Sequence, residues 1–134
     1  MAKESVFFID ADVLTFLGQL GVNTGQGTFF LDQLFKPGRT VIVTSTVRSE
    51  AAGLPLSFPK DALVDSWINS GLSTGNIQVV STSIPPGNDG GEQSILQAAT
   101  GTNFFDKNIY ISSNDSFFDT QGLPGNIIKA ARRA

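Results

Sequence analysis

Short apolar runs alternate along this chain with segments whose apolar residues recur at helical spacing. The runs are rich in β-branched and aromatic residues and are bounded by polar or turn-forming residues, as buried strands are; they cover residues 6–9, 40–44, 77–80 and 108–112. Strands that alternate with helices predict right-handed crossovers and a parallel sheet covered on both faces. We therefore expect an α/β fold, a three-layer α/β/α sandwich around a central, mostly parallel sheet of four or five strands.

The predicted helices fill the segments between these strands. They cover residues 12–20, 28–35, 45 or 46 to about 52, 61–69 and 92–99, with a further short helix at 126–132. Asp10 or Asp12 is a suitable N-cap for the first helix, and Ser45 or Thr46 for the third. Because the chain has 134 residues and shows no repeat or linker, we expect a single domain over residues 1–134.

The composition limits the chemistry that the chain can perform. It contains no cysteine and no histidine, which excludes disulfides, thiolate nucleophiles, Ser-His-Asp triads and histidine-ligated zinc. The net charge of -3 argues against a protein that holds nucleic acid by positive charge alone. It is compatible with an acidic pocket that bound cations neutralise. No apolar run reaches the roughly 18 residues of a membrane span, and no targeting segment is visible.

Four acidic residues are predicted to meet at one edge of the sheet. Asp10 follows the first strand directly, Asp115 follows the fourth, and Glu50 and Glu92 lie in the helices after the second and third. Functional residues gather at the carboxyl ends of parallel strands. Carboxylates held together repel one another unless a cation lies among them, and Mg²⁺ or Mn²⁺ would supply that charge and activate a water molecule. Taken singly, each acid also fits a helix cap, a turn or a solvated helix position.

The order of these acids resembles that of the PIN-domain ribonucleases. Residues 7–14 resemble the family's opening, an apolar strand ending in Asp-x-Asn before a helix, and residues 44–50 are similar to its second motif, which leads to a helical Glu. Residues 89–99 are similar to the Gly-Glu-x-x-Ile-x-x-Ala helix of some branches. Residues 109–115 resemble the last motif, a strand leading into Thr-x-Asp, with Ser for Thr. The likeness covers residues 5–118, with Asp12 in place of the family's usual Asn.

What this resemblance implies is a metal-dependent endoribonuclease that cleaves single-stranded RNA or tRNA with Mg²⁺ or Mn²⁺. It implies that the catalytic residues are Asp10, Glu50, Glu92 and Asp115. Three of them, Asp10, Glu92 and Asp115, would hold the metal. The implied supporting residues are Asp12, Asp89, Ser113 and Asn114.

The resemblance also implies partners and a setting. Many members are bacterial toxins, so we expect a cognate antitoxin or immunity protein, and a homodimer is the common assembly. A cytoplasmic location is expected, with a secreted effector domain as the alternative.

Five basic residues are candidates for phosphate contacts: Arg48, Lys60, Lys107, Arg132 and Arg133. For each of them, an ordinary surface charge fits equally well. Arg48 is the foremost for binding RNA because it lies two residues from Glu50.

Two other functions fit parts of the sequence. Residues 10–15 resemble the Asp-x-Asp loop of haloacid dehalogenase-like phosphatases, with Asp10 as the nucleophile, and residues 113–119 resemble their late acidic motif. That alternative leaves Glu50 and Glu92 without a role. The other alternative is a PIN-like protein-binding module without catalysis, which predicts no Mn²⁺-dependent cleavage.

Overall fold

The sheet is parallel throughout the part of the chain that the computed structural model describes: residues 5–53, 56–87, 90–101, 103–104 and 107–112, with the backbone of 127–129. Its strands are β1 (Ser5–Ile9), β2 (Arg39–Thr44), β3 (Ile77–Val80), β4 (Asn108–Ser112) and β5 (Ile127–Lys129). They lie in the order β3-β2-β1-β4-β5, and each neighbouring pair is parallel. The predicted α/β fold with a parallel sheet is confirmed.

The described helices connect these strands. They are α1 (Ala11–Thr24), α2 (Phe29–Asp32), α3 (Ser45–Ala52), α4 (Pro59–Thr74) and α5 (Gly90–Ala99). The chain moves from β1 through β2 to β3 in one direction, and then returns past β1 to β4 and β5. Right-handed crossovers therefore place α1 and α4 on one face and α5 on the other. No helix in these ranges has the length and apolar character needed to cross a membrane.

The core lies on both faces of the sheet. Central strand residues such as Ile9, Ile42 and Ile111 are fully buried, as expected for parallel strands covered on two sides. Phe8 makes an edge-to-face contact with Phe104, just after α5, at 5.4 Å between ring centroids. Phe7, the preceding residue of the strand, faces the other way and lies under the Arg39 guanidinium at 4.0 Å.

Several predicted helix boundaries are wrong. The first helix passes the predicted end at residue 20 because Gly21 is a packing position: a Cβ there would collide with the Gly27 carbonyl. Gly25, with φ of 69°, ends it instead. The fourth begins at Pro59, in the first turn where proline is tolerated, and ends before Gly75, with φ of 83°. The second is shorter than predicted and covers Phe29–Asp32.

The helix predicted at residues 126–132 is also wrong, since Ile127–Lys129 is a strand. This segment pairs with β4, with Ile127 opposite Ile109. Two adjacent isoleucines suit a strand, and an available strand edge outweighs a weak local helical pattern. The four strands predicted from the apolar runs all form, within one residue of the expected bounds.

Candidate functional site

Asp10 lies at the point where the order of the strands changes direction. It is the first residue after β1, whose two neighbours are β2 and β4. Its backbone N–H donates to the carbonyl of Ser112, at the end of β4, over 3.0 Å. In open α/β sheets, ligands bind in the crevice outside the carboxyl ends of the strands at this switch point. The topology therefore makes the surroundings of Asp10 the first candidate for a functional site.

The Asp10 carboxylate is held in a defined position. Only 1% of the residue is exposed, and its Oδ1 accepts a hydrogen bond from the Ala11 N–H at 2.7 Å as the N-cap of α1. Of the two caps predicted for this helix, Asp10 is the one observed. The expected caps Ser45 and Thr46 are wrong, because Thr44 caps α3 by accepting from the Val47 N–H at 3.1 Å.

An open cleft of about 830 Å³ lies beside Asp10. Its walls come from the start of α1, from α3, from the first turns of α4 and α5, and from the loop after β3. The lining residues are Asp10, Ala11, Asp12, Thr15, Phe16, Gln19, Glu50, Lys60, Gly87 and Glu92. The structure thus brings together three of the four predicted catalytic acids, and Asp12 with them. The predicted Asp89, Ser113, Asn114 and Asp115 lie outside the described residues.

Glu50 meets Asp10 at the start of α5. A Cβ built on Gly91 would collide with Oε1 of Glu50 and lie 3.1 Å from Oδ1 of Asp10. Oxygen atoms of both carboxylates therefore lie against Gly91, in space that a side chain at residue 91 would fill. The other oxygen of Glu50, Oε2, accepts from the Gly87 N–H at 3.1 Å. The amino end of a helix favours negative charge, so α5 offsets part of the repulsion between the two acids.

A chain of buried hydroxyl groups fixes α5 to β2. The Ser94 hydroxyl donates to the Gly91 carbonyl at 2.7 Å and lies 2.6 Å from the Thr44 hydroxyl. Because Ser94 donates its proton to Gly91, Thr44 is the donor in the bond between the two hydroxyls. Thr44 and Ser94 are both completely buried. The chain ties the strand that leads to Glu50 to the helix turn that carries Glu92.

Sequence reasoning missed this pair. The only signal was a hydroxyl residue at the end of a strand, which the prediction placed one or two positions too late, at Ser45 or Thr46. These two residues hold the loop after β3 instead. Ser45 accepts from the Thr82 N–H at 3.0 Å, and the Thr46 hydroxyl bonds to Thr82 and to the Ile84 carbonyl. The loop that presents Gly87 to Glu50 is therefore anchored on the start of α3.

The donors in the cleft suit a hard divalent cation. Within the described ranges, no group of three or more carboxylates is arranged closely enough to hold a metal ion, and the predicted third ligand, Asp115, lies outside them. Beside Gly91, oxygen atoms of Asp10 and Glu50 lie close to each other. Oxygen donors of this kind are the ligands of Mg²⁺ and Mn²⁺, so the chemistry of the donor set fits the expected metal.

Arg48, the foremost residue predicted to bind RNA, does not line the cleft. Its Nη2 donates to Oδ1 of Asn69 at 2.7 Å and lies 3.9 Å from Asp65, so α4 holds it in a separate groove. Lys60 is the cation that lines the cleft. Its Nζ donates to Oδ1 of Asp61 at 2.8 Å, and this bond is the main reason why the pKa of Asp61 lies below its usual value.

Of the remaining candidates for phosphate contacts, one is described, and it does not line the cleft. Lys107 is not among its lining residues, and Arg132 and Arg133 lie outside the described ranges. Comparison with known proteins supplies no further constraint: no family model matches the sequence, and no curated protein matches it.

Proposed function

We propose that this protein is a metal-dependent endoribonuclease that cleaves single-stranded RNA or tRNA. The observation that carries the proposal is the meeting of Asp10, Glu50 and Glu92, from three separate elements, in one cleft at the switch point of the sheet. Carboxylates that line one cleft supply the kind of oxygen ligand used in metal-assisted hydrolysis of a phosphodiester. The order of the acids along the chain, which resembles that of PIN-domain ribonucleases, supports the same reaction.

In this proposal, Asp10 and Glu92 hold Mg²⁺ or Mn²⁺, together with Asp115 by the resemblance. When bound, the ion would lower the pKa of a water molecule and neutralise charge on the phosphate. The capping bond from Ala11 fixes the Asp10 carboxylate for this task. We assign to Oε1 of Glu50 the proton that the attacking water loses, because Gly87 holds the opposite oxygen of that carboxylate. The water oxygen joins phosphorus as the ester P–O bond breaks, and the departing sugar oxygen leaves as a hydroxyl group, with its proton supplied by solvent.

By the same resemblance, the biological setting in this proposal is that of a bacterial toxin. A cognate antitoxin or immunity protein would cover the acidic cleft, and the protein would act in a cytoplasm, its own or that of a target cell. Expression in a bacterium tests this setting: wild type should arrest growth, and Asp10→Asn should not. Equal growth of the two strains would count against a toxin.

The phosphatase alternative has less support. Asp10 and Asp12 both line the cleft, as a nucleophile and a neighbouring acid would, but that reaction gives no role to Glu50 or Glu92 on the same walls. The alternative remains testable, since a phosphatase would form a covalent phosphate on Asp10. Trapping that adduct with a phosphate mimic would favour it over the nuclease.

The experiment that tests the proposal is incubation of the purified protein with tRNA and total RNA in Mg²⁺, in Mn²⁺ and in EDTA. We expect cleavage that requires the cation and falls about 100-fold or more in Asp10→Asn and Glu50→Gln, as for loss of a general base or ligand. Asp65→Asn is the matched control, because Asp65 lies on α4 beside Arg48 and does not line the cleft. Cleavage that survives EDTA or Asp10→Asn would refute the proposal; no cleavage at all would favour a non-catalytic binding module.

A further inference from the structure

Phe16 is an exposed aromatic residue in the wall of the acidic cleft. Its neighbours Val13, Leu14 and Leu17 form the buried face of α1, but Phe16 is 40% exposed and lines the cleft with Asp10 and Asp12. Part of the Phe16 surface is therefore exposed in the cleft. An apolar aromatic surface beside carboxylates suits a ligand with an uncharged, planar part.

Lys60 lines the same cleft as Phe16, from the first turn of α4. A Cβ built on Gly18 would lie 3.6 Å from the Lys60 carbonyl oxygen and 3.9 Å from its Cβ. The first turn of α4 therefore packs against α1. Beside the acids, the cleft thus carries an aromatic ring and a cation. This combination is how proteins bind single-stranded nucleic acid, by stacking bases and contacting phosphates.

We infer that the cleft contains a base subsite, in which one nucleobase of a single-stranded RNA stacks on Phe16 and Lys60 contacts a phosphate of the same strand. The inference rests on the proposed function and names the part of the substrate that the site recognises. The acids repel phosphate except where a cation compensates them, so the uncharged base fits the wall beside them. A base inside a duplex is already stacked and cannot lie on Phe16, which selects for unpaired nucleotides.

The test compares Phe16→Leu and Phe16→Trp with wild type, and uses Phe29→Leu as the matched control, since Phe29 is 51% exposed and lies outside the cleft. The substrates are short single-stranded RNA oligonucleotides, intact or lacking one base at each position in turn. Phe16→Leu should raise KM by about 5-fold to about 100-fold, the effect of losing one stacked base, with kcat nearly unchanged. Phe29→Leu should behave as wild type, and Phe16→Trp, which keeps an aromatic face, should have a lower KM than Phe16→Leu.

When the oligonucleotide lacks the base that stacks on Phe16, the KM of wild type should rise. On that oligonucleotide, Phe16→Leu should have the same KM as wild type. Lys60→Gln should weaken binding of every sequence alike and reduce the slope of log affinity against log salt by about 0.7, as for one phosphate on a single strand. Equal KM values for wild type and Phe16→Leu on all intact oligonucleotides would overturn the base subsite and leave the nuclease proposal standing.

If no cation supports cleavage, the same oligonucleotides are titrated in Ca²⁺ and followed by fluorescence anisotropy. Binding that is lost when one base is removed from the oligonucleotide, or in Phe16→Leu, would support the subsite and refute the nuclease proposal. Equal affinity for intact and base-lacking oligonucleotides, or no binding of either, would overturn the subsite as well.

Discussion

Oε1 of Glu50 occupies the space in which a Cβ on Gly91 would lie. The first prediction concerns Gly91→Ala, whose methyl group would displace the end of a flexible side chain rather than the backbone. Because alanine also favours the helix, we expect the free energy of unfolding to change by less than about 1 kcal/mol. RNA cleavage should nevertheless fall about 10-fold or more, since the Glu50 carboxylate, the proposed general base, is moved. Urea denaturation and initial rates measure the two effects.

Gly90→Ala is the contrasting control for that variant. A Cβ on Gly90 would collide with the backbone carbonyl of Pro85, which cannot swing aside as a carboxylate can. This variant should therefore lose stability, by about 1–3 kcal/mol. Similar losses of stability in the two variants would contradict the proposed role of Gly91.

The second prediction concerns the hydroxyl pair of Thr44 and Ser94. Thr44→Val removes both the cap on the Val47 N–H and the donor to Ser94, and leaves buried groups unsatisfied. We expect a loss of about 1–3 kcal/mol of unfolding free energy, and a smaller loss for Ser94→Ala. Because the two hydroxyls share a bond, the double variant should lose less than the sum, by about 0.5 kcal/mol or more. Additive losses in urea denaturation would show that the pair is not coupled; Thr44→Ser, which keeps the hydroxyl, is the control.

The third prediction is a dependence of stability on pH through Asp61. Hydrogen bonds from Lys60, and then from the Phe58 N–H at 3.1 Å, lower the pKa of this carboxyl. A pKa lowered by folding stabilises the protein above the ordinary value of about 4. That contribution disappears as the pH falls through the lower folded value. Wild type should exceed Asp61→Asn in stability by up to about 1 kcal/mol at pH 6, and the difference should shrink toward pH 3; a constant difference would contradict this account.

The fourth prediction separates the two cations. Arg48 is held by Asn69 outside the cleft, so Arg48→Gln should change KM for RNA by less than about twofold. Lys60→Gln removes the charge that lines the cleft, and one lost phosphate contact should raise KM by about 3-fold or more at low salt. Steady-state kinetics at two salt concentrations checks both. A larger effect of Arg48→Gln would restore the prediction made from its nearness to Glu50 in the sequence.

The strands were predictable because each is a short, continuous apolar run that is buried on both faces. The convergence of the acids was predictable because parallel strands end at one edge of the sheet, and Asp10, Glu50 and Glu92 do line one cleft. Helix ends were less predictable. Gly21 looks like a helix stop in the sequence, but it is required by the close approach of the Gly27 backbone, a tertiary contact that local pattern cannot reveal.

The cations and the supporting hydroxyls were the least predictable features of the site. Arg48 lies near Glu50 in the sequence, but residues two apart on a helix do not face the same way, and α4 supplies its contacts. Lys60 reaches the cleft because α4 packs on α1. The bond between Thr44 and Ser94 joins a strand to a distant helix. Each of these depends on how elements pack, which single-sequence patterns do not encode.

Calorimetric titration of the purified protein with Mn²⁺ tests the central claim most directly, because it measures the cation site without requiring the right RNA. The account predicts saturable binding that is weakened about tenfold or more by Asp10→Asn and by Glu92→Gln, and unchanged by Asp65→Asn. Loss of one carboxylate ligand of a hard cation has this consequence. No binding at millimolar Mn²⁺, or equal binding by wild type and Asp10→Asn, would contradict it.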